Sequence, residues 1–354
     1  MTKAELDSIK ILPLEDSWYR KVKEKLDGIA KPLDGLGKFE HLIAQIGAIE
    51  KTTKISIQKK AVLVMCADNG VVEEQVSQSG KEVTLAVAKA MGVNNSSVGK
   101  MAAVAGVDVI PVDIGIDKDE VIPGGLPRKV AKGTKNFAKE PAMTEEEVLK
   151  AIETGIQLVQ QCHREGYEIL ATGEMGIGNT TTSTAVAAAL LDLEVEQVTG
   201  KGAGLTDEAL KRKCRVIKEA IEKYSLRDAD AFTILKTVGG LDIAGLTGVF
   251  IGAAIEQIPV VIDGVISAVA ALLAETLCKD AVNYMIPSHK SRELAETAIM
   301  KKLHLDPVLD ADMALGEGTG AVMMMSLLDV ALGVYLQGAS FANFEIEQYK
   351  RYEE

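Results

Sequence analysis

The sequence predicts a doubly wound α/β fold: a parallel sheet of about six strands flanked by helices, with a small helical domain built from both chain ends. Three observations carry this. Short, continuous apolar runs recur from residue 60 onward without the period-two alternation of a half-exposed strand, as strands covered on both faces require. Long helical patterns lie between them. Glycines and acidic residues collect just past the runs, where such folds bind ligands.

The expected strands are residues 61–66 (AVLVMC), 108–114 (DVIPVDI), 168–172 (EILAT), 232–238 (FTILKTV) and 259–262 (PVVI), with a weaker one at 284–287 (YMIP). Helices are expected at 144–164, 180–191, 206–224, 242–256, 265–279 and 291–303. The first opens T-E-E-E, a Thr cap followed by carboxylates that suit the helix dipole. Residues 116–142 hold several Gly and Pro with little periodicity and read as a long loop. The ends read as helical at 16–29, 38–52, 320–337 and 343–352. Residues 1–58 with 322–354 are therefore expected to form the small domain, and 59–321 the large one.

Composition narrows the function. The chain has 354 residues, 39 basic and 51 acidic, a net charge of −12. That balance opposes nucleic-acid binding, which recruits surplus Lys and Arg. A small anionic ligand needs only a local cluster of donors. No membrane span is expected, because the C-terminal apolar run contains Asp329 and reads as a buried helix. The N-terminus MTKAELDSIK lacks an apolar signal core, which suggests a cytoplasmic protein. Four scattered cysteines and four scattered histidines show no ligand spacing, so no metal site is expected.

Three stretches carry candidate chemistry. In 173–182 (GEMGIGNTTT) a strand runs through three glycines into a helix start. Close backbone approach, free N–H groups and the hydroxyls of Thr180 and Thr181 suit an anion, although a tight turn with a cap is an equal reading. Neither a P-loop nor a G-x-G-x-x-G fingerprint occurs. A second glycine loop, 199–205 (TGKGAGL), precedes a helix from which Lys213 can reach an anion held by either loop. By itself, Lys213 reads as a solvated charge. In 314–321 (ALGEGTGA), Glu317 sits between two glycines before an apolar helix, either as an accessible carboxylate or as a cap.

Together these stretches resemble one family, the nicotinate-nucleotide–dimethylbenzimidazole phosphoribosyltransferases. The matching segments are PLDGLGKFE (32–40), VMCADNGV (64–71), VDIGID (112–117), GEMGIGNTT (173–181), GKGAGL (200–205), VGGLDIAGLTG (238–248), IPVVIDG (258–264), IPSHKS (286–291) and LGEGTGA (315–321). Each is weak alone. The ordered set, spanning nearly the whole chain, is specific.

The resemblance implies a Rossmann-like sheet, a homodimer whose sites are each completed by the neighbour's small domain, and no metal or redox cofactor. It implies transfer of 5-phosphoribose from nicotinate mononucleotide to 5,6-dimethylbenzimidazole, giving α-ribazole 5′-phosphate for the nucleotide loop of cobalamin. By position, Glu317 matches the catalytic base. Its place near a helix start should lower its pKa. Gly176, Gly178, Asn179 and Thr180 would hold phosphate or ribose, and Glu174 the ribose region. Gly202, Ala203 and Lys213 would complete the phosphate cradle. Ser291 and Ser79 are carried to the substrate pocket, and Asp242 and Asp263 to its architecture. Asn69 stands where many members have His, and 76–84 (VSQSGKEVT) departs from the commoner pattern, which leaves other benzimidazoles, purines or phenols open as acceptors. A non-catalytic nucleotide-binding paralogue and an unrelated NAD-dependent α/β enzyme are the competing classes.

Overall fold

The structure, a computed structural model, describes residues 1–202 and 204–351. Six parallel strands form one sheet: β1 (Lys60–Ala67), β2 (Val107–Gly115), β3 (Leu126–Pro127), β4 (Ile169–Met175), β5 (Val260–Ile262) and β6 (Met285–Pro287). Their order is β3-β2-β1-β4-β5-β6, so the chain reverses its direction of travel across the sheet between β1 and β4. That crossover opens a crevice past the carboxyl ends of the strands.

Every residue of β1 is buried. Alternate side chains feed different cores. Ala61, Leu63 and Met65 join Ile152, Leu246 and Val249 on one face. Val62, Val64 and Cys66 join Val22, Leu26, Ile43, Met324 and Leu328 on the other. The apolar runs are continuous because both faces of the sheet are covered.

One expected strand is a helix. Residues 232–238 lie within helix Ala231–Val238. Asp230 caps it, accepting from the Thr233 N–H at 3.0 Å and the Thr233 hydroxyl at 2.8 Å. A short apolar run has no period that separates strand from helix, and the cap decides. The sixth strand comes instead from the expected loop. Leu126 and Pro127 pair with Val112 and Asp113 at the sheet edge, where a proline without an N–H is tolerated. The expected helix at 343–352 is also corrected. The chain makes one 3₁₀ turn, Phe341–Phe344, and Glu345 leaves it in the left-handed region at φ 57°. Tyr352 lies outside the described residues.

Two helices absent from the sequence reading, Glu82–Gly92 and Ser97–Ala105, cover the sheet beside β2. The chain ends meet. The Ala30 N–H donates to the Ala339 carbonyl at 2.8 Å, and Arg351 binds Asp27 and Asp34, each at 2.7 Å. Helix Thr319–Gln337 is long and apolar enough to cross a membrane, and its Met324, Met325 and Leu328 pack into the core beneath the sheet.

Helices Glu145–Arg164 and Leu241–Glu256 touch backbone to backbone. A Cβ on Gly248 would overlap the Ile152 carbonyl. Gly248→Ala is therefore expected to lower stability by about 1–3 kcal/mol, read as an earlier urea midpoint. An unchanged midpoint would show that the helices part freely.

Candidate active site

The site is assembled where β4 ends. Met175 leads through Gly176 and Ile177 to Gly178, which caps helix Asn179–Leu191 at φ 95°. A Cβ on Gly176 would sit 2.6 Å from the Ala67 carbonyl and 2.8 Å from Asp242 Oδ2, so the tight passage requires glycine. Asn179 Nδ2 donates to two buried carboxylates, Glu174 and Asp242, the latter at 3.1 Å. Burial raises the Glu174 carboxyl to about 8, and repulsion from Asp242, Asp263 and Glu317 adds to it against the Asn179 hydrogen bond. Burial raises Asp242 to about 6. At neutral pH Glu174 thus holds a proton and can donate as well as accept.

Lys213 rises from helix Asp207–Lys223, capped by Thr206. It is fully buried. Its Nζ donates to Thr180 Oγ1 at 2.9 Å and to the Gly200 carbonyl at 3.2 Å. Burial pushes its pKa down to about 8. A buried ammonium whose partners among the described residues are neutral oxygens is suited to an incoming anion.

Glu317 approaches from the other side. Gly316, Glu317 and Gly318 all have positive φ, at 82°, 61° and 90°. Glu317 Oε2 accepts the Val98 N–H at 3.0 Å, at the start of helix Ser97–Ala105. The expected lowering of its pKa is overturned. Burial raises it, outweighing the hydrogen bonds from Val98 and Ser97, and the charge of Asp263 adds to the rise.

Glu174, Gly176, Asn179, Thr180, Gly202, Ser291 and Glu317 line one cavity of about 290 Å³. Val87, Met175, Ile266 and Leu315 give it an apolar wall. Gly178 lines a recess of about 80 Å³ shared with Gly176, Asn179, Thr180 and Gly202. Lys213 stands behind Thr180. Ser79 is not part of either lining. Its N–H donates to Ser77 Oγ at 3.3 Å, while Ser77 and Gln78 face the recess. Ala203 lies outside the described residues.

This architecture has relatives. A family model described as phosphoribosyltransferase matches residues 11–346. The chain is 45% identical over 329 residues to the nicotinate-nucleotide–dimethylbenzimidazole phosphoribosyltransferase of Acetivibrio thermocellus, covering 93% of this chain and 94% of that one. Identity to the enzyme of the same name from Clostridium acetobutylicum is 44% over 337 residues, covering 95% and 96%. The chain belongs to this phosphoribosyltransferase family. The crystal structure of CobT from Thermus thermophilus superposes with a TM-score of 0.89 at 33% identity, covering 94% of this chain and all of that one.

Several residues that line this cavity were not singled out from sequence. His289 and Ser267 line the cavity, both buried, and the Ser267 hydroxyl has no partner among the described residues. Each follows a strand end, so position was their only signal. Val87 had none, because its helix was not foreseen. Asn69 lies beneath the cavity floor, where a Cβ on Gly176 would come within 3.1 Å of its Nδ2. Among the described residues, the carboxylate cluster with metal-like spacing is Asp27, Asp34 and Glu40. Lys23, Lys31 and Arg351 already pair with it.

Proposed function

We propose that this chain transfers 5-phosphoribose from nicotinate mononucleotide to 5,6-dimethylbenzimidazole, giving α-ribazole 5′-phosphate and nicotinate, a step in building the nucleotide loop of cobalamin. The observation that carries this reading is one cavity with three walls of different chemistry: Thr180, backed by the Lys213 ammonium, for an anion; an apolar slab; and Glu317.

The phosphate of the donor sits against Thr180, Gly178, Gly202 and Lys213. Protonated Glu174 and Asn179 face the ribose. The benzimidazole lies along Met175, Ile266 and Leu315, with Ser291 at the pocket edge. The donor's pyridinium leaves as a neutral pyridine bearing its carboxylate, so no general acid is needed. The acceptor nitrogen attacks C1′ from the opposite face, which inverts β to α. As the C–N bond forms, the ring's other N–H becomes acidic and Glu317 takes that proton.

The reading extends to assembly. A second copy docks on helix Thr319–Gln337, with residues 1–58 and 322–354 acting as the small domain that completes the neighbour's site. Met323, Leu327 and Val330 follow heptad spacing along this helix. Val330 is 73% exposed, an apolar stripe that begins six residues after Glu317. Val330→Glu is expected to turn a dimer into a monomer by sedimentation and to lower turnover with it. A wild-type monomer at working concentration would refute the docking. A cytoplasmic location is supported by unpaired Cys66, Cys162, Cys214 and Cys278.

The test is nicotinate release from nicotinate mononucleotide, with and without 5,6-dimethylbenzimidazole, and the product identified by mass. Acceptor-dependent release with the α-ribazole phosphate mass is expected. Release only with a purine or phenol would reassign the acceptor. Silence with every base would leave a nucleotide-binding paralogue.

A further inference from the structure

Glu317 occupies an unusual backbone. A non-glycine residue in the left-handed region costs about 1–2 kcal/mol, and such strain persists only where its surroundings enforce it. Here three consecutive residues share positive φ, and then helix Thr319–Gln337 begins at once. Something must hold that helix start in place.

Asp263, at the end of β5, is 2% exposed. Its Oδ1 accepts the N–H of Gly320 at 2.8 Å and of Ala321 at 3.1 Å. Its Oδ2 accepts the N–H of Gly318 at 3.1 Å. Three otherwise orphaned helix N–H groups thus end on one carboxylate from a different strand. Two further contacts fix the turn. The Thr319 hydroxyl donates to the Gly316 carbonyl at 2.8 Å. A Cβ on Gly173 would lie 2.7 Å from the Glu317 carbonyl, so the turn rests directly on β4. The His289 ring packs against Gly320, where a Cβ would overlap it.

We propose that Asp263 is the positioning residue for Glu317: by anchoring Gly318, Gly320 and Ala321 to the sheet it fixes the base at the cavity edge. This rests on the reading of Glu317 as the base. Asp263 itself moves no proton. A misplacement of about 1 Å at a reacting group can cost 10²-fold in rate, so the anchor acts on turnover more than on binding.

The variant of choice is Asp263→Asn. It keeps an oxygen for Gly320 and Ala321 but turns an N–H₂ toward the N–H of Gly318, the residue joined to Glu317. Turnover is expected to fall about 10–100-fold, with the KM for nicotinate mononucleotide within about threefold. Binding of that nucleotide by calorimetry reports that the variant is folded. In a Glu317→Gln background the same change should cost nothing further, because two residues acting through one group are not additive. Unchanged turnover in Asp263→Asn, or losses that multiply in the double variant, would overturn the anchoring role. If Glu317→Gln alone keeps full turnover, the base assignment fails instead. A third readout needs no variant. In the wild-type enzyme the Gly318, Gly320 and Ala321 amides should exchange with solvent far more slowly than that of Leu315, and equally fast exchange would refute the anchor.

Discussion

Glu317→Gln is expected to lower turnover by about 10²–10⁴-fold, the usual contribution of a positioned general base, while leaving the KM for nicotinate mononucleotide nearly unchanged. The amide keeps the shape and still accepts the Val98 N–H, so the fold and the cavity survive. What disappears is the ability to take a proton as the acceptor nitrogen becomes cationic. The pH profile gives a second check. Burial raises the Glu317 pKa above 4.5. The base acts when ionised, so kcat/KM should fall on the acid side as pH drops through that raised value. An acid limb at the ordinary carboxylate position would mean that the site is wetter than its burial implies. Full turnover in the glutamine variant would leave solvent as the proton acceptor.

The candidate site was legible in sequence where it depended on short-range order. Gly176, Gly178, Asn179 and Thr180 are a strand end, a turn and a helix start within a few residues, so their grouping needs no tertiary information. Glu317 was legible for the same reason, through its flanking glycines. Its pKa was not, because that depends on which distant elements bury it. The sequence places Glu317 near the start of its own helix, but its carboxylate faces the start of another, Ser97–Ala105, 219 positions away. The strands were readable from their apolar runs, with the Ala231–Val238 helix mistaken for one because its run has no distinguishing period. β3 was invisible, since two residues pairing at an edge carry no pattern. Lys213 is the sharpest case. As a charge on a mixed helix it looks solvated, and only the fold shows it fully buried.

That burial sets opposite expectations for stability and for binding. The folded pKa of Lys213 is about 8, below its ordinary 10.5. Above pH 10.5 the amine is neutral folded and unfolded, and burial costs nothing. Between pH 10.5 and 8 the unfolded amine is charged and the folded one neutral, so the cost grows as pH falls through that window; it is fully present at pH 7, where the charge sits in a site without a countercharge bonded to it among the described residues. The drop corresponds to roughly 3 kcal/mol, the net cost of charging the buried amine with its hydrogen bonds to Thr180 and Gly200 in place. Lys213→Met should therefore leave the unliganded enzyme as stable at pH 7 or raise its Tm by a few degrees. The same change should raise the KM for nicotinate mononucleotide about 10–100-fold, the loss of one charged hydrogen bond to phosphate. A third consequence separates this lysine from Glu174, which titrates near the same pH. Only the ammonium attracts phosphate, so wild-type nucleotide affinity should weaken above pH 8, and that dependence should vanish in Lys213→Met. An alkaline limb that survives the substitution belongs to Glu174 and refutes the phosphate assignment. A variant that binds normally but melts early would make Lys213 a structural residue.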